Sequence, residues 1–248
     1  MPRPPRLPVS LQLWSIREQV AADFAGTMAA VGRMGYEGVE LIALGNTPVA
    51  DADRALRDAG LKVSGMHVLL DPLRASVPHV VEQALTLGCR NVICPWFPPA
   101  LLQTAASFSA LGEELNVIGA RLRAFGIVFH YHHHDFELRV LEGRRGIDWI
   151  LDATEPRNVH CETDVYWLQK GGLDPVRFLT EQGKRIKLVH LKDEYELGSG
   201  PVDFRSVFSA IDAIGAAEWL IVEQEQYTFP PLEAVERCLQ KMREWGRA

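Results

Sequence analysis

The sequence predicts a single α/β domain folded as a closed (β/α)8 TIM barrel. Three observations carry that expectation. Strand-like apolar runs alternate with helix-like segments from one end to the other, about every 30 residues. Glycines stop most of the helical segments. No linker-like stretch interrupts the series, so 248 residues, 47% hydrophobic and 23% charged, are expected to share one core. Alternation of this kind predicts a parallel sheet with helices outside. Eight units filling the chain favour closure over an open sheet.

In order, Val9-Ser10-Leu11-Gln12-Leu13-Trp14 reads as the first strand. Asp23 to Met34 has apolar residues at helical spacing (Phe24, Met28, Val31) and stops at Gly35. Gly38 to Ile42 is a second strand, and Val49 to Ala59 a helix with Asp51 as N-cap and Gly60 as stop. Leu61 to Val68 is a third strand, Pro72 to Leu87 a helix closed by Gly88, and Asn91 to Trp96 a fourth strand. The longest helical pattern runs from Thr104 to Phe125, closed by Gly126, and leads into a fifth strand rich in histidine. Ile147 to Ala153 is a short helix and Asn158 to Val165 a sixth strand. Asp174-Pro175 opens a helix that ends at Gly183, with proline at its first position. Ile186 to Lys192 is a seventh strand, Val202 to Ile214 a helix stopped by Gly215, Trp219 to Gln224 an eighth strand, and Pro231 to Trp245 the closing helix.

The barrel is expected over residues 9–248, preceded by a proline-rich flexible arm over 1–8 that lacks an apolar signal core. A net charge of −6 without a long basic run argues against nucleic acid as partner. No segment has the apolar length of a membrane span. Cys89, Cys94, Cys161 and Cys238 form no CxxC pair and are expected to be reduced thiols, which points to the cytoplasm.

The most unusual stretch is His130-Tyr131-His132-His133-His134-Asp135-Phe136-Glu137, which holds half of the eight histidines. Strand alternation puts His130, His132 and His134 on one face. In barrels of this class the chemistry sits at the carboxyl ends of the strands. The ends here carry Trp14, Glu40, His67, Trp96, His132 with His134, Glu162 with Asp164, His190 with Lys192, and Glu223 with Glu225. A barrel filled for stability alone would show Val, Ile and Leu there. Carboxylates converging without a partner would repel one another. A divalent cation removes that repulsion, and neutral imidazoles complete its shell. Such a mixed oxygen and nitrogen shell suits Mn, Zn, Co, Fe or Mg.

These pieces resemble the xylose isomerase-like barrels, often called sugar phosphate isomerases/epimerases. The resemblance rests on five segments in order: 35–40, 131–137, Asp164-Val165-Tyr166-Trp167 with Gly172-Leu173-Asp174-Pro175, 189–193 and 222–224. It implies one divalent metal at the top of the barrel and a sugar or polyol substrate. Asp164, His190 and Glu223 match three of the family's usual four ligands. The fourth, commonly a strand-five glutamate, falls at His132, with His134 as its rival. Several relatives have a histidine where Trp167 stands, and an indole cannot shuttle protons. Both departures weaken a two-carboxylate epimerase mechanism.

Beside the ligands, Glu223, His134 and Lys192 are the candidate bases. Lys192 is expected either to stay neutral enough to take a proton or to face a developing oxyanion. Glu40, His67 and Glu137 are candidate substrate contacts, and Trp14, Trp96 and Trp167 candidate stacking surfaces. The Gly198-Ser199-Gly200-Pro201 loop lacks a basic residue and is expected to be a turn rather than a phosphate site. The expected function is isomerisation or epimerisation of a sugar or keto-sugar by proton removal next to a carbonyl, through an enediolate. A lyase acting on an inosose or 3-keto-glycoside would share that first step, and a non-catalytic sugar-binding barrel would retain no metal. A related endonuclease activity is disfavoured by the low basic charge. Barrels of this kind often pair, which leaves a homodimer open.

Overall fold

Short runs of β-branched and aliphatic residues form the strands, and amphipathic segments between them form the helices. The computed structural model describes residues 6–42, 44 and 46–248. Its strands are β1 (Val9–Gln12), β2 (Gly38–Leu41), β3 (Lys62–His67), β4 (Asn91–Cys94), β5 (Val128–His132), β6 (Val140–Leu141), β7 (Arg144–Arg145), β8 (His160–Asp164), β9 (Ile186–Leu191) and β10 (Trp219–Val222). Eight of them close a parallel barrel in the order β1-β10-β9-β8-β5-β4-β3-β2, and β6 and β7 make a small antiparallel hairpin. The sixth, seventh and eighth strands expected from sequence are therefore β8, β9 and β10.

The helices are α1 (Arg17–Ala22), α2 (Phe24–Met34), α3 (Val49–Asp58), α4 (Leu70–Ala75), α5 (Val77–Thr86), α6 (Ala105–Arg123), α7 (Gly146–Asp152), α8 (Val165–Lys170), α9 (Pro175–Gln182), α10 (Phe204–Ile214) and α11 (Pro231–Glu244). Their apolar faces and the outward strand residues form the main core, which includes Leu11, Val39, Phe129, Tyr131, Val189 and Leu191. A separate small cluster of Ile93, Leu188 and Ile221 fills the barrel interior and meets Trp219. α6 comes close to the barrel because it carries glycines where it touches neighbours: a Cβ at Gly119 would lie 2.1 Å from the Asn158 carbonyl oxygen and 3.2 Å from Phe129.

Several local expectations need correction. The segment read as one helix from Pro72 is two, because Ser76 adopts extended backbone and its hydroxyl caps α5. Asp51 does not cap α3; Pro48 holds that position, and Asp51 pairs with Arg54 at 2.7 Å in the first turn. α1 and α8 were not anticipated. Each has six residues, too few to display a helical period. Residues 1–5 of the expected arm lie outside the described residues. Residues 6–8 are tied down rather than loose: Arg6 pairs with Glu37 at 2.7 Å, and the Pro8 carbonyl accepts from the Leu220 amide. All four cysteines are buried and unpaired, so Cys89 and Cys94 do not join. No helix among the described residues is long and apolar enough to cross a membrane.

Candidate active site

Strand alternation builds the site. Along β5, β8 and β9 every second residue points into the barrel, which brings His132, Glu162, Asp164 and His190 to its carboxyl end. Glu223 follows β10 directly and extends the same layer. Donor atoms of His132, Asp164, His190 and Glu223 all lie within 4.8 Å of one another, and all four residues are buried. The four residues matched from the sequence thus come from four different elements to one point.

Asp164 serves two purposes at once. Its Oδ1 accepts from the Tyr166 and Trp167 amides at 2.8 and 2.9 Å and so caps α8. Its Oδ2 is buried with no partner. A carboxylate oxygen held dry and unpaired suits a cation ligand. His190 faces Glu223 Oε2 through Nδ1 at 3.0 Å and Glu40 Oε2 through Nε2 at 2.7 Å.

A second set lies beneath. Glu40, His67, Glu162 and again His190 bring donor atoms within 4.8 Å of one another. His67 Nε2 is 3.0 Å from Glu40 and 3.1 Å from Glu162. Glu162 was seen in sequence only as a strand end and was not singled out. The signal was available, because it stands two residues before Asp164 and so shares its face. Gln12, at the end of β1, donates its side-chain amide to Glu40.

The charge balance is uneven. Glu40, Glu162, Asp164 and Glu223 are buried together, and Lys192 is the buried lysine beside them. Burial and the Glu223 charge push the Asp164 carboxyl up to about 7. Burial also acts on Glu223, but Lys192 and His190 outweigh it and hold Glu223 at about 2. Burial and the Glu40 charge raise Glu162, while His67 and His190 overcome burial and hold Glu40 low. The Glu40 and Glu162 carboxylates likewise overcome burial at His67 and lift it to about 9. His132 is driven well below the usual imidazole range by burial. Against burial, the Glu162 and Glu40 carboxylates raise His190 well above the ordinary imidazole value. Four buried carboxylates meeting two imidazoles, with His132 kept neutral by burial, are a donor set for a divalent cation.

Above these groups opens a cavity of about 650 Å³ lined by Gln12, Trp14, Ile42, His67, Leu69, Pro95, Trp96, His132, His134, Trp167, Glu223 and Glu225. Trp14, Trp96 and Trp167 therefore face the cavity and do not pack under helices. His134 lies at its wall, its ring 5.4 Å from Trp167, and burial lowers it to about 4. Glu40 lies below the cavity, within reach of His67 and His190.

Two expectations change. Glu137 is neither at the cavity nor on the surface; it is buried, accepting from the Tyr131 hydroxyl at 2.7 Å and the His134 amide at 2.8 Å. It braces the loop after β5 and has no lone side left for substrate. Lys192 is 2% exposed, 2.8 Å from Glu225 and 3.8 Å from Glu223, with its ammonium 4.4 Å from the Trp167 ring. Burial works against its charge, yet Glu223, Asp164 and Glu225 raise its pKa above the ordinary lysine value. These neighbours favour the charged ammonium over a neutral base. His130 bonds Asn91 at 3.0 Å inside the barrel, away from the donor cluster. The Gly198 and Gly200 amides are taken by Asp193 at 3.1 and 2.9 Å, which leaves that loop a turn.

Comparison with known proteins agrees with this architecture. The family description "Xylose isomerase-like TIM barrel" matches residues 28–245. An inosose dehydratase of Geobacillus thermodenitrificans is 29% identical over 156 residues, 53% of this chain and 52% of that protein. The chain thus spans about half the length of that curated relative. Among solved structures, a sugar phosphate isomerase/epimerase from Parabacteroides distasonis is 27% identical with a TM-score of 0.84, covering 96% of this chain and 98% of that one. A second from the same organism, at 22% identity and a TM-score of 0.88, covers 98% and 96% and bears on the fold alone. With its closed eight-stranded barrel and a family match over most of its length, the chain belongs to the xylose isomerase-like TIM barrel family.

Proposed function

We propose that this protein is a divalent-metal-dependent enzyme that removes the proton next to the carbonyl of a neutral keto-sugar or keto-polyol. The observation that carries this reading is the meeting of His132, Asp164, His190 and Glu223 within 4.8 Å, two of which, His132 and Glu223, line a cavity walled by three indoles. Those four residues would hold the ion; bound there, it supplies Lewis acidity toward a carbonyl and its neighbouring hydroxyl. The cavity lining has carboxylates, imidazoles and indoles but no arginine or lysine, which supports an uncharged substrate over a phosphorylated one. Trp14, Trp96 and Trp167 offer faces on which a sugar ring stacks.

His134, neutral at pH 7 because burial lowers it, is suited to take the proton from carbon. Glu223, held near pKa 2, is a weaker base and fits better as an ion ligand. The buried Lys192 ammonium, 2.8 Å from Glu225 and 3.8 Å from Glu223, supplies positive charge behind the cavity wall. In the balanced step, His134 takes the proton, the electron pair of the broken C–H bond forms a carbon–carbon double bond, and the β-hydroxyl departs as water with a proton from solvent. Elimination from a keto-polyol is thus the favoured outcome, in keeping with the inosose dehydratase relatives. Isomerisation or epimerisation, which starts with the same proton removal, is the second reading. It is favoured by the Parabacteroides distasonis structure at 27% identity.

Incubation of the manganese-loaded protein with a panel of inososes and ketoses in deuterium oxide tests both readings. Deuterium next to the carbonyl together with ultraviolet absorbance of an unsaturated ketone is expected. Deuterium exchange with an isomeric product and no such absorbance selects isomerisation. Absence of exchange across the panel would sink the enolisation reading.

A further inference from the structure

Glu162 lies directly beside His132 in the β5–β8 register and is fully buried. Its Oε2 is 3.1 Å from His132 Nδ1, 3.3 Å from His190 Nε2 and 3.1 Å from His67 Nε2. One carboxylate oxygen therefore lies within 3.3 Å of one ring nitrogen of each imidazole that the four-donor cluster needs. His190 turns its other nitrogen, Nδ1, to Glu223, a fellow donor of that cluster. A neutral imidazole has one N–H and one lone pair, and the acceptor on one nitrogen decides which nitrogen is free to bind a metal.

We propose that Glu162 is the positioning residue for the metal site: it holds the proton on Nδ1 of His132 and, with Glu40, on Nε2 of His190. That leaves Nε2 of His132 and Nδ1 of His190 as the metal-binding nitrogens. The inference rests on the reading that His132, Asp164, His190 and Glu223 hold a divalent ion. Partners of this kind fix ring orientation and raise ligand basicity, and losing one typically weakens metal binding about 10–100-fold. The lower set of Glu40, His67 and Glu162 is then a frame beneath one ion and not a second metal site. Gln12, which donates to Glu40, fastens that frame to β1.

Zinc is the probe, because it is diamagnetic. Competition with a chelating dye should give one zinc per wild-type chain and about 10–100-fold weaker binding to Glu162→Gln. Nitrogen-15 spectra of histidine-labelled, zinc-loaded wild type should show the His132 proton on Nδ1 and the His190 proton on Nε2. The spectra use no variant, so they judge the proposal even where Glu162→Gln fails to fold. The opposite tautomers, or wild-type affinity in Glu162→Gln, would overturn the positioning role alone. Two zinc ions per chain, one of them lost in the variant, would make Glu162 a ligand and overturn it as well. Failure of the wild type to take up zinc would instead remove the site reading on which the proposal rests.

Discussion

On β5, Phe129 and Tyr131 turn outward to the helices, while His130 and His132 turn into the barrel; on β8, Cys161 and Thr163 turn outward, while Glu162 and Asp164 turn in. The two faces of the same strands are equally buried and differ in what satisfies them. Outside, Phe129 meets α6 at Gly119, and the Tyr131 hydroxyl is bonded to Glu137. Inside, Asp164 Oδ2, Glu40 Oε1 and Glu162 Oε1 are buried without a hydrogen-bond partner. Burying such atoms unpaired opposes folding, by about 1–3 kcal/mol each. The outer face stabilises the barrel, and the inner face gives up stability to hold charge in a dry place. The residues that keep the fold and the residues that make the site are therefore neighbours in sequence with separable roles.

That comparison can be broken on its outer side. Phe129→Ala removes a ring that is 1% exposed. A buried aromatic truncated to alanine costs about 3–5 kcal/mol, so urea unfolding should show a loss of that size. Because no donor atom is touched, the folded variant should bind zinc as the wild type does. A large drop in zinc affinity under folding conditions would mean that the two faces are not separable.

A smaller effect sharpens the boundary between the faces. Glu137 braces the loop after β5, and burial raises its carboxyl to about 7 from the ordinary 4.5. Below pH 4.5 the group is protonated in folded and unfolded chains alike, and its stabilising contribution is fully present. As pH rises through about 7 the unfolded chain ionises freely while the folded one does so against burial, and that contribution is lost. The wild type should therefore lose up to about 3 kcal/mol relative to Glu137→Gln between pH 4.5 and 7. Parallel stability curves for the two proteins across that window would contradict the buried, uncharged state assigned to Glu137.

The barrel was legible because its eight β-then-α units repeat, and the ends of the strands named most of the site. Asp164, His190 and Glu223 stand at strand ends, and the resemblance to the family picked them out as ligands. Glu162 escaped although strand alternation puts it on the same face as Asp164; its partner His132 is set only by the β5–β8 register. Glu137 was misjudged for a related reason: its partners are the hydroxyl and the amide of nearby residues, brought together by the turn after β5. α8, too short to show a helical period, is capped by Asp164, whose other oxygen is the one left for the site. Short elements such as α1 and the β6–β7 hairpin carry too few residues for either period to emerge.

The central claim is that the inner face ends in one divalent-metal site built by His132, Asp164, His190 and Glu223. Elemental analysis tests it most directly, on protein loaded with manganese or zinc and then dialysed, for the wild type and Asp164→Ala. The account predicts about one retained ion per wild-type chain, and a marked loss in the variant while its circular dichroism remains that of a folded barrel. A wild type that retains no metal, or an Asp164→Ala variant that retains as much as the wild type, would contradict it.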